Sequence, residues 1–155
     1  MIDLRKNFWL APILIAVIAL ISLLTPAAYR TFDGGGIYFW LWALNISTDT
    51  GDLWFNTDAL ALFGAMAETL VIIISMLVLI YSGIIIKREK KNQKIIKIFL
   101  LISGILLILA PLGYIIGSMF YQTDFWGTYS PSFGIIGPFI AAAIVFITIF
   151  LYKKT

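Results

Sequence analysis

The chain contains no cysteine and no histidine. Their absence removes disulfides, thiolate nucleophiles, imidazole bases and most transition-metal sites together. Charge is scarce too: only 12% of the 155 residues are Asp, Glu, Lys or Arg, and the formal net charge is +3. A nucleic-acid partner would need a broad basic patch, and none is present. What the chain has instead is apolar bulk, with 61% hydrophobic residues and a mean hydropathy of +1.00. A chain this short cannot bury that much apolar surface in one water-soluble core, so lipid is the expected solvent.

Four apolar runs stand out, at Phe8–Thr25, Ala59–Ile86, Ile98–Phe120 and Ile135–Tyr152. Each is near or above the length that carries a helix across about 30 Å of hydrocarbon. None alternates as a barrel strand would. Inside a bilayer the backbone must satisfy its own hydrogen bonds, so all four runs are expected to be helical. Arg5, Lys6 and the first run could be a secretion signal, but the run exceeds the usual signal core, and a retained first helix is expected. The predicted fold class is an all-α membrane protein: one transmembrane domain over residues 1–155, a four-helix bundle carrying a small extracellular antiparallel β-sheet. The sheet is assigned to the first outer loop, residues 26–58, and the second outer loop, residues 121–134, can add to it.

Orientation follows from the basic residues. Arg5, Lys6, Lys87, Arg88, Lys90, Lys91, Lys94, Lys97, Lys153 and Lys154 flank one side of the four runs, and Arg30 stands alone opposite. By the positive-inside rule both termini and the 87–97 loop are cytoplasmic, with the chain in the plasma membrane. The outer segments carry Asp33, Asp49, Asp52, Asp58 and Asp124, whereas the inner ones have only Asp3 and Glu89. The basic run reads as a topological anchor that touches anionic lipid.

Small residues within the runs mark where backbones approach. Gly113 and Gly117, four apart, share a helix face and suggest a packing seam, with Gly104 on the same run and Gly134, Gly137 and Ala141–Ala143 on the next. The third and fourth runs are therefore expected to meet along small residues. Pro12, Pro111 and Pro138 are expected to kink their helices locally. Glu68 is the one acidic residue within an apolar run. Counting about 20 residues outward from Lys87 puts it near the outer rim, where water or a pairing with Arg30 is expected to satisfy it, an ion or proton site being the alternative.

The segment from Pro26 to Asp58 is long for a connection, and it is aromatic: Tyr29, Phe32, Tyr38, Phe39, Trp40, Trp42, Trp54 and Phe55. Gly34–Gly36 and Asn45–Gly51 read as turns between short strands. Asn45-Ile46-Ser47 is an N-glycosylation sequon on the outer side. Asp49 and Asp52 lie three apart, a spacing more typical of a solvated turn than of a calcium loop.

These features resemble the claudin and peripheral-myelin-protein-like tetraspan group. Pro26 and Arg30 are similar to the proline and arginine that follow the first helix there. Tyr38-Phe39-Trp40-Leu41-Trp42 resembles the group's Trp-x-Gly-Leu-Trp signature, matching at Leu41 and Trp42. Phe120-Tyr121 and Tyr129–Gly134 resemble landmarks of its second outer segment. The resemblance implies four helices and a first outer segment folded as strands. It also implies that the positions near Asn45 and Phe55, cysteines in claudins, must be held by aromatic packing here. With a tail ending at Lys153-Lys154-Thr155, tight-junction scaffold binding is not implied.

The function expected from the sequence is a non-enzymatic scaffold or adhesion protein. Its outer aromatic residues, Tyr38, Phe39, Trp40, Leu41, Trp42, Trp54, Phe55, Phe125 and Trp126, would contact another copy or another membrane protein. Arg30, Glu68, Gly113 and Gly117 are assigned structural roles. An accessory subunit of a larger membrane enzyme or transporter, or a small ion-conducting or transport protein, are the alternatives. No catalytic residue, metal or cofactor is expected; the partners are lipid and protein, not nucleic acid.

Overall fold

The computed structural model describes residues 7–55, 59–88 and 93–152. Asp3, Arg5, Lys6, Asp58, Glu89, Lys90, Lys91, Lys153 and Lys154, given topological roles above, lie outside the described residues. Four long helices dominate: α1 (Leu10–Leu24), α2 (Ala59–Lys87), α3 (Gln93–Tyr121) and α5 (Phe133–Tyr152). Between α1 and α2 come β1 (Ala28–Phe32), β2 (Gly35–Phe39), β3 (Leu44–Ser47) and β4 (Leu53–Phe55); a single turn, α4 (Phe125–Thr128), and β5 (Ser130–Pro131) separate α3 from α5. The helices close a ring in which α2 packs on α1 and α3, and α5 packs on the same two from the other side.

The buried positions explain why these segments pack as they do. On α2, Ala65, Ile72, Ser75, Leu79 and Ser82 are buried; on α3, Ile96, Leu100, Ser103, Leu107 and Ala110; on α5, Ala141, Val145 and Thr148. Pro12, Ile15, Ala19 and Ser22 do the same on α1. Alternating steps of three and four residues keep one seam of each helix facing the others, the pattern of left-handed bundles. The core is apolar with a few hydroxyls, and it is the exterior that departs from a water-soluble bundle. Serines and alanines are enclosed, while Leu14, Phe63, Leu77, Phe120 and Phe150 lie exposed. An apolar exterior of this extent would aggregate in water and is stable against acyl chains. The enclosed hydroxyls cost little because most bond their own helix: Ser75 to the Val71 carbonyl at 2.8 Å, Ser82 to Val78 at 2.7 Å and Thr148 to Ile144 at 2.7 Å.

Among the described residues, three helical stretches are long and apolar enough to cross a membrane: Leu62–Lys87, Gln93–Phe120 and Phe133–Tyr152. The first helix is apolar but shorter, 15 residues against the expected run of Phe8–Thr25. It stops because Thr25 precedes Pro26, whose ring forces the residue before it into extended backbone; Thr25 has φ −101° and ψ 152°. At the other end of the bundle α3 begins earlier than the sequence suggests, at Gln93, so Lys94 and Lys97 lie on helix rather than in a loop. Lysine is a good helix former, and its long side chain keeps its charge in water from a helical backbone. Both Pro111 and Pro138 are accommodated inside continuous helices.

The five strands form one antiparallel sheet in the order β4-β3-β2-β1-β5. β5 joins through Ala28↔Pro131 and Tyr29↔Ser130, so both long connections contribute to it, as allowed for above. The turn assignments need correction. Only Asp33-Gly34 turns the first hairpin, with Gly34 at φ +96°, while Gly35 and Gly36 belong to β2. Gly35 is required there because a Cβ would lie 2.8 Å from the Asp49 backbone nitrogen. Asn45–Ser47, read as the start of a turn, is strand β3, and the reversal comes after it, around Gly51 at φ +72°.

Candidate functional site

The sheet is fixed to the bundle by aromatic side chains. At the end of α1, carbonyls lack helical partners once the chain turns extended at Thr25. Two indoles supply them: Trp40 Nε1 donates to the Leu24 carbonyl at 3.1 Å and Trp42 Nε1 to the Leu23 carbonyl at 3.0 Å. Leu41, between them, is fully buried in the bundle core. Main-chain bonds tie the same junction, with Ala27 N–H donating to Phe39 O at 2.6 Å and Gly134 N–H to Pro26 O at 2.9 Å.

A second aromatic cluster joins the two connections. Phe39 meets Tyr129 edge-on at 4.7 Å and Phe125 at 5.5 Å between ring centres; Phe125 in turn lies 5.0 Å from Trp126. Tyr114 of α3 packs edge-on against both Phe125 and Trp126. Trp126 Nε1 donates to the Ile115 carbonyl at 3.3 Å. Tyr38 is half-buried and stacked on Tyr29 at 6.4 Å. Of the residues proposed from the sequence as interaction anchors, Phe39, Trp40, Leu41, Trp42, Phe125 and Trp126 are thus placed in contacts that hold the protein's own sheet and second connection on its own helices, and Tyr38 packs within the sheet.

The other two anchors are placed differently. β4 is the outermost strand, bonded to β3 on one side only. Its side chains are all open: Leu53 is 60% exposed, Trp54 39% and Phe55 52%. Leu53 was not singled out from the sequence; its position beside Trp54 and Phe55, just before an apolar helix, was the available signal. Trp54 is nonetheless anchored at its polar end. With the Asn45 amide turned so that both of its ends are satisfied, its oxygen accepts from Trp54 Nε1 at 3.2 Å and its nitrogen donates to Leu44 O at 3.0 Å. Asn45 and Trp54 are directly opposite in the register, and Leu44 faces Phe55. The positions near Asn45 and Phe55 therefore lie on paired strands, joined by this hydrogen bond. Asn45 is only 7% exposed, so the sequon's acceptor nitrogen is enclosed in the folded sheet.

Glu68 does not meet Arg30. Among the described residues no ion pair involves either, and Arg30 is exposed on β1. Instead Glu68 reaches α3: a Cβ on Gly113 would stand 3.0 Å from its Oε1. Its Oε2 is sealed from solvent without a hydrogen-bond partner, as is the Thr69 hydroxyl. The expected seam of small residues is also redistributed. Gly104 meets Val145 and Phe146 of α5, as anticipated. Gly134 and Gly137, however, pack against α1 and its end, at the Pro26 carbonyl and the Ser22 side chain, and a Cβ at Gly117 would meet no other part of the protein within 4 Å. No group of three or more metal-ligating side chains is gathered among the described residues; Asp49 and Asp52 sit exposed at the β3–β4 turn.

No family model matches the chain, and no curated protein matches it.

Proposed function

We propose that the protein is a non-enzymatic scaffold of the plasma membrane whose sheet projects outside the cell and holds a neighbouring membrane protein along β4. The observation that carries this reading is the open β4 edge. A strand with one free side offers unpaired backbone groups, and here it adds three exposed apolar side chains, Leu53, Trp54 and Phe55. Soluble edges are normally blunted by charge, proline or a cover. Trp is also among the residues that most often dominate interface energies. Partners confined to the same membrane lose less freedom on meeting, so a small contact suffices.

Orientation rests on charge. Lys87, Arg88, Lys94 and Lys97 cluster at the end of the bundle away from the sheet, and short basic connections stay cytoplasmic. With α1 counted as a fourth crossing, both termini share that side. The resemblance to the claudin-like group supports the same reading, since an outer sheet on four helices is its layout. The missing disulfide is replaced by the Asn45–Trp54 contact and the two aromatic clusters.

A photo-reactive amino acid placed at Phe55, with a lipid-facing control at Leu77, tests the proposal in native membranes. Adducts to a second protein from position 55 are expected. Adducts from position 77 alone would assign the protein instead as an accessory subunit held by its helices, and recovery of uncrosslinked monomer from both would remove the scaffold reading.

A further inference from the structure

Within the described apolar spans the Glu68 carboxylate is set against another helix, at Gly113, and no cation among the described residues pairs with it. Among the described residues, the cations of α2 and α3 lie at the far end of the bundle; residues 68 to 87 span about 28 Å of helix. Arg30, on β1 in the sheet, is exposed and forms no ion pair with Glu68. The titratable residue of α3 next to Gly113 is Tyr114, α1 has no titratable residue, and α5 has only Tyr152, at its far end. A carboxylate in hydrocarbon without a donor is costly.

The surface next to it is unusually open. Oε1 lies where α3 has no side chain, at Gly113, whose backbone is exposed. One turn further, Gly117 is exposed as well and faces empty space. The carboxylate thus has one oxygen sealed inside the bundle and the other beside a shallow trough in which a second backbone can come close.

We propose that this trough receives a transmembrane helix of another protein carrying a lysine or arginine at the depth of Glu68, which completes the ion pair that this chain leaves open. Charge complementarity fixes the chemistry of the occupant. A second copy of this chain would bring Glu68 against Glu68, and no described basic residue of it lies at that depth. The inference does not rest on the β4 contact; the two surfaces are at different levels of the molecule.

The test uses synthetic Leu/Ala helices with one lysine about a third of the way in from one end, dye-labelled, in phosphatidylcholine vesicles with the full chain labelled at a single introduced cysteine, Thr50→Cys. Energy transfer should show the lysine helix binding about tenfold more tightly than an all-Leu/Ala control. Glu68→Gln and Gly117→Leu should each erase the difference. Glu68→Lys should transfer the preference to a helix bearing glutamate, a rescue that a merely misfolded variant cannot show. Equal binding of lysine and control helices, or full binding by Glu68→Gln, overturns the proposal. So does Glu68-dependent energy transfer between copies of the chain alone, which would identify the occupant as a second copy.

Discussion

Trp42 of the β2–β3 connection donates its indole N–H to the carbonyl of Leu23, 19 residues earlier in the chain, at 3.0 Å. A side chain from the sheet thereby terminates a helix of the bundle, and Trp40 repeats the arrangement one residue along α1. Replacing Trp42 with Phe keeps most of the ring and removes the donor. The expected loss is about 1 kcal/mol of stability, since a carbonyl at a helix end is left without its partner. Trp40→Phe, more exposed, should cost less. Thermal unfolding in mild detergent, followed by near-ultraviolet circular dichroism, measures both. An unchanged midpoint for Trp42→Phe would show that the indole does not cap α1.

Glycines of similar appearance in the sequence have opposite expected responses. A Cβ at Gly134 would overlap the Pro26 carbonyl, which is backbone and cannot rotate away, whereas one at Gly117 meets nothing within 4 Å. Gly134→Ala should therefore destabilise by about 1–3 kcal/mol, and Gly117→Ala should stay within about 0.5 kcal/mol. The same thermal measurement decides. A neutral Gly134→Ala would mean that the α1–α5 junction is looser than the contacts imply.

The helices were legible because their cause is one-dimensional: a run of Leu, Ile and Phe specifies helix in lipid whatever surrounds it. A sheet in the first long connection was legible for a related reason, the density of aromatic and β-branched residues. What the sequence did not disclose were contacts whose partners are far apart in the chain. Gly134 looks like a partner for α3 until the Pro26 carbonyl is seen beside it, and Glu68 and Arg30 look complementary until one proves to face α3 and the other solvent. The aromatic anchors show the same limit. Exposure separates Trp54 from Trp42, and exposure depends on the strand order.

Asn45 and Trp54 form a cross-strand pair joined by a side-chain hydrogen bond. Asn45→Ala leaves the Trp54 N–H without that acceptor and should cost about 1–2 kcal/mol. The Trp54 edge would loosen first, raising amide exchange in β4 before the helices respond. Because Asn45 is enclosed, the folded protein made in a glycosylating host should show no change in mobility on endoglycosidase treatment. A mobility shift would mean that the sequon is modified before β3 closes.

The first helix tests the membrane map. At 15 residues it covers about 22 Å, less than the hydrocarbon thickness of about 30 Å. Its start is nevertheless level with the basic end of the bundle: the Lys87 ammonium lies 4.3 Å from the Trp9 ring centre, and a Cβ on Gly83 would be 2.9 Å from the Trp9 carbonyl. Trp9 is the kind of residue that settles at a headgroup boundary, and a crossing by α1 would need such flanking residues in addition to the helix itself. Because the chain has no cysteine, single cysteines report sidedness without interference. In intact cells a membrane-impermeant maleimide should label Thr50→Cys and leave Asn7→Cys and Lys94→Cys unmodified until the membrane is permeabilised. Labelling of Asn7→Cys together with Thr50→Cys would mean that α1 does not cross, and labelling of Lys94→Cys alone would invert the orientation and place the β4 edge inside the cell.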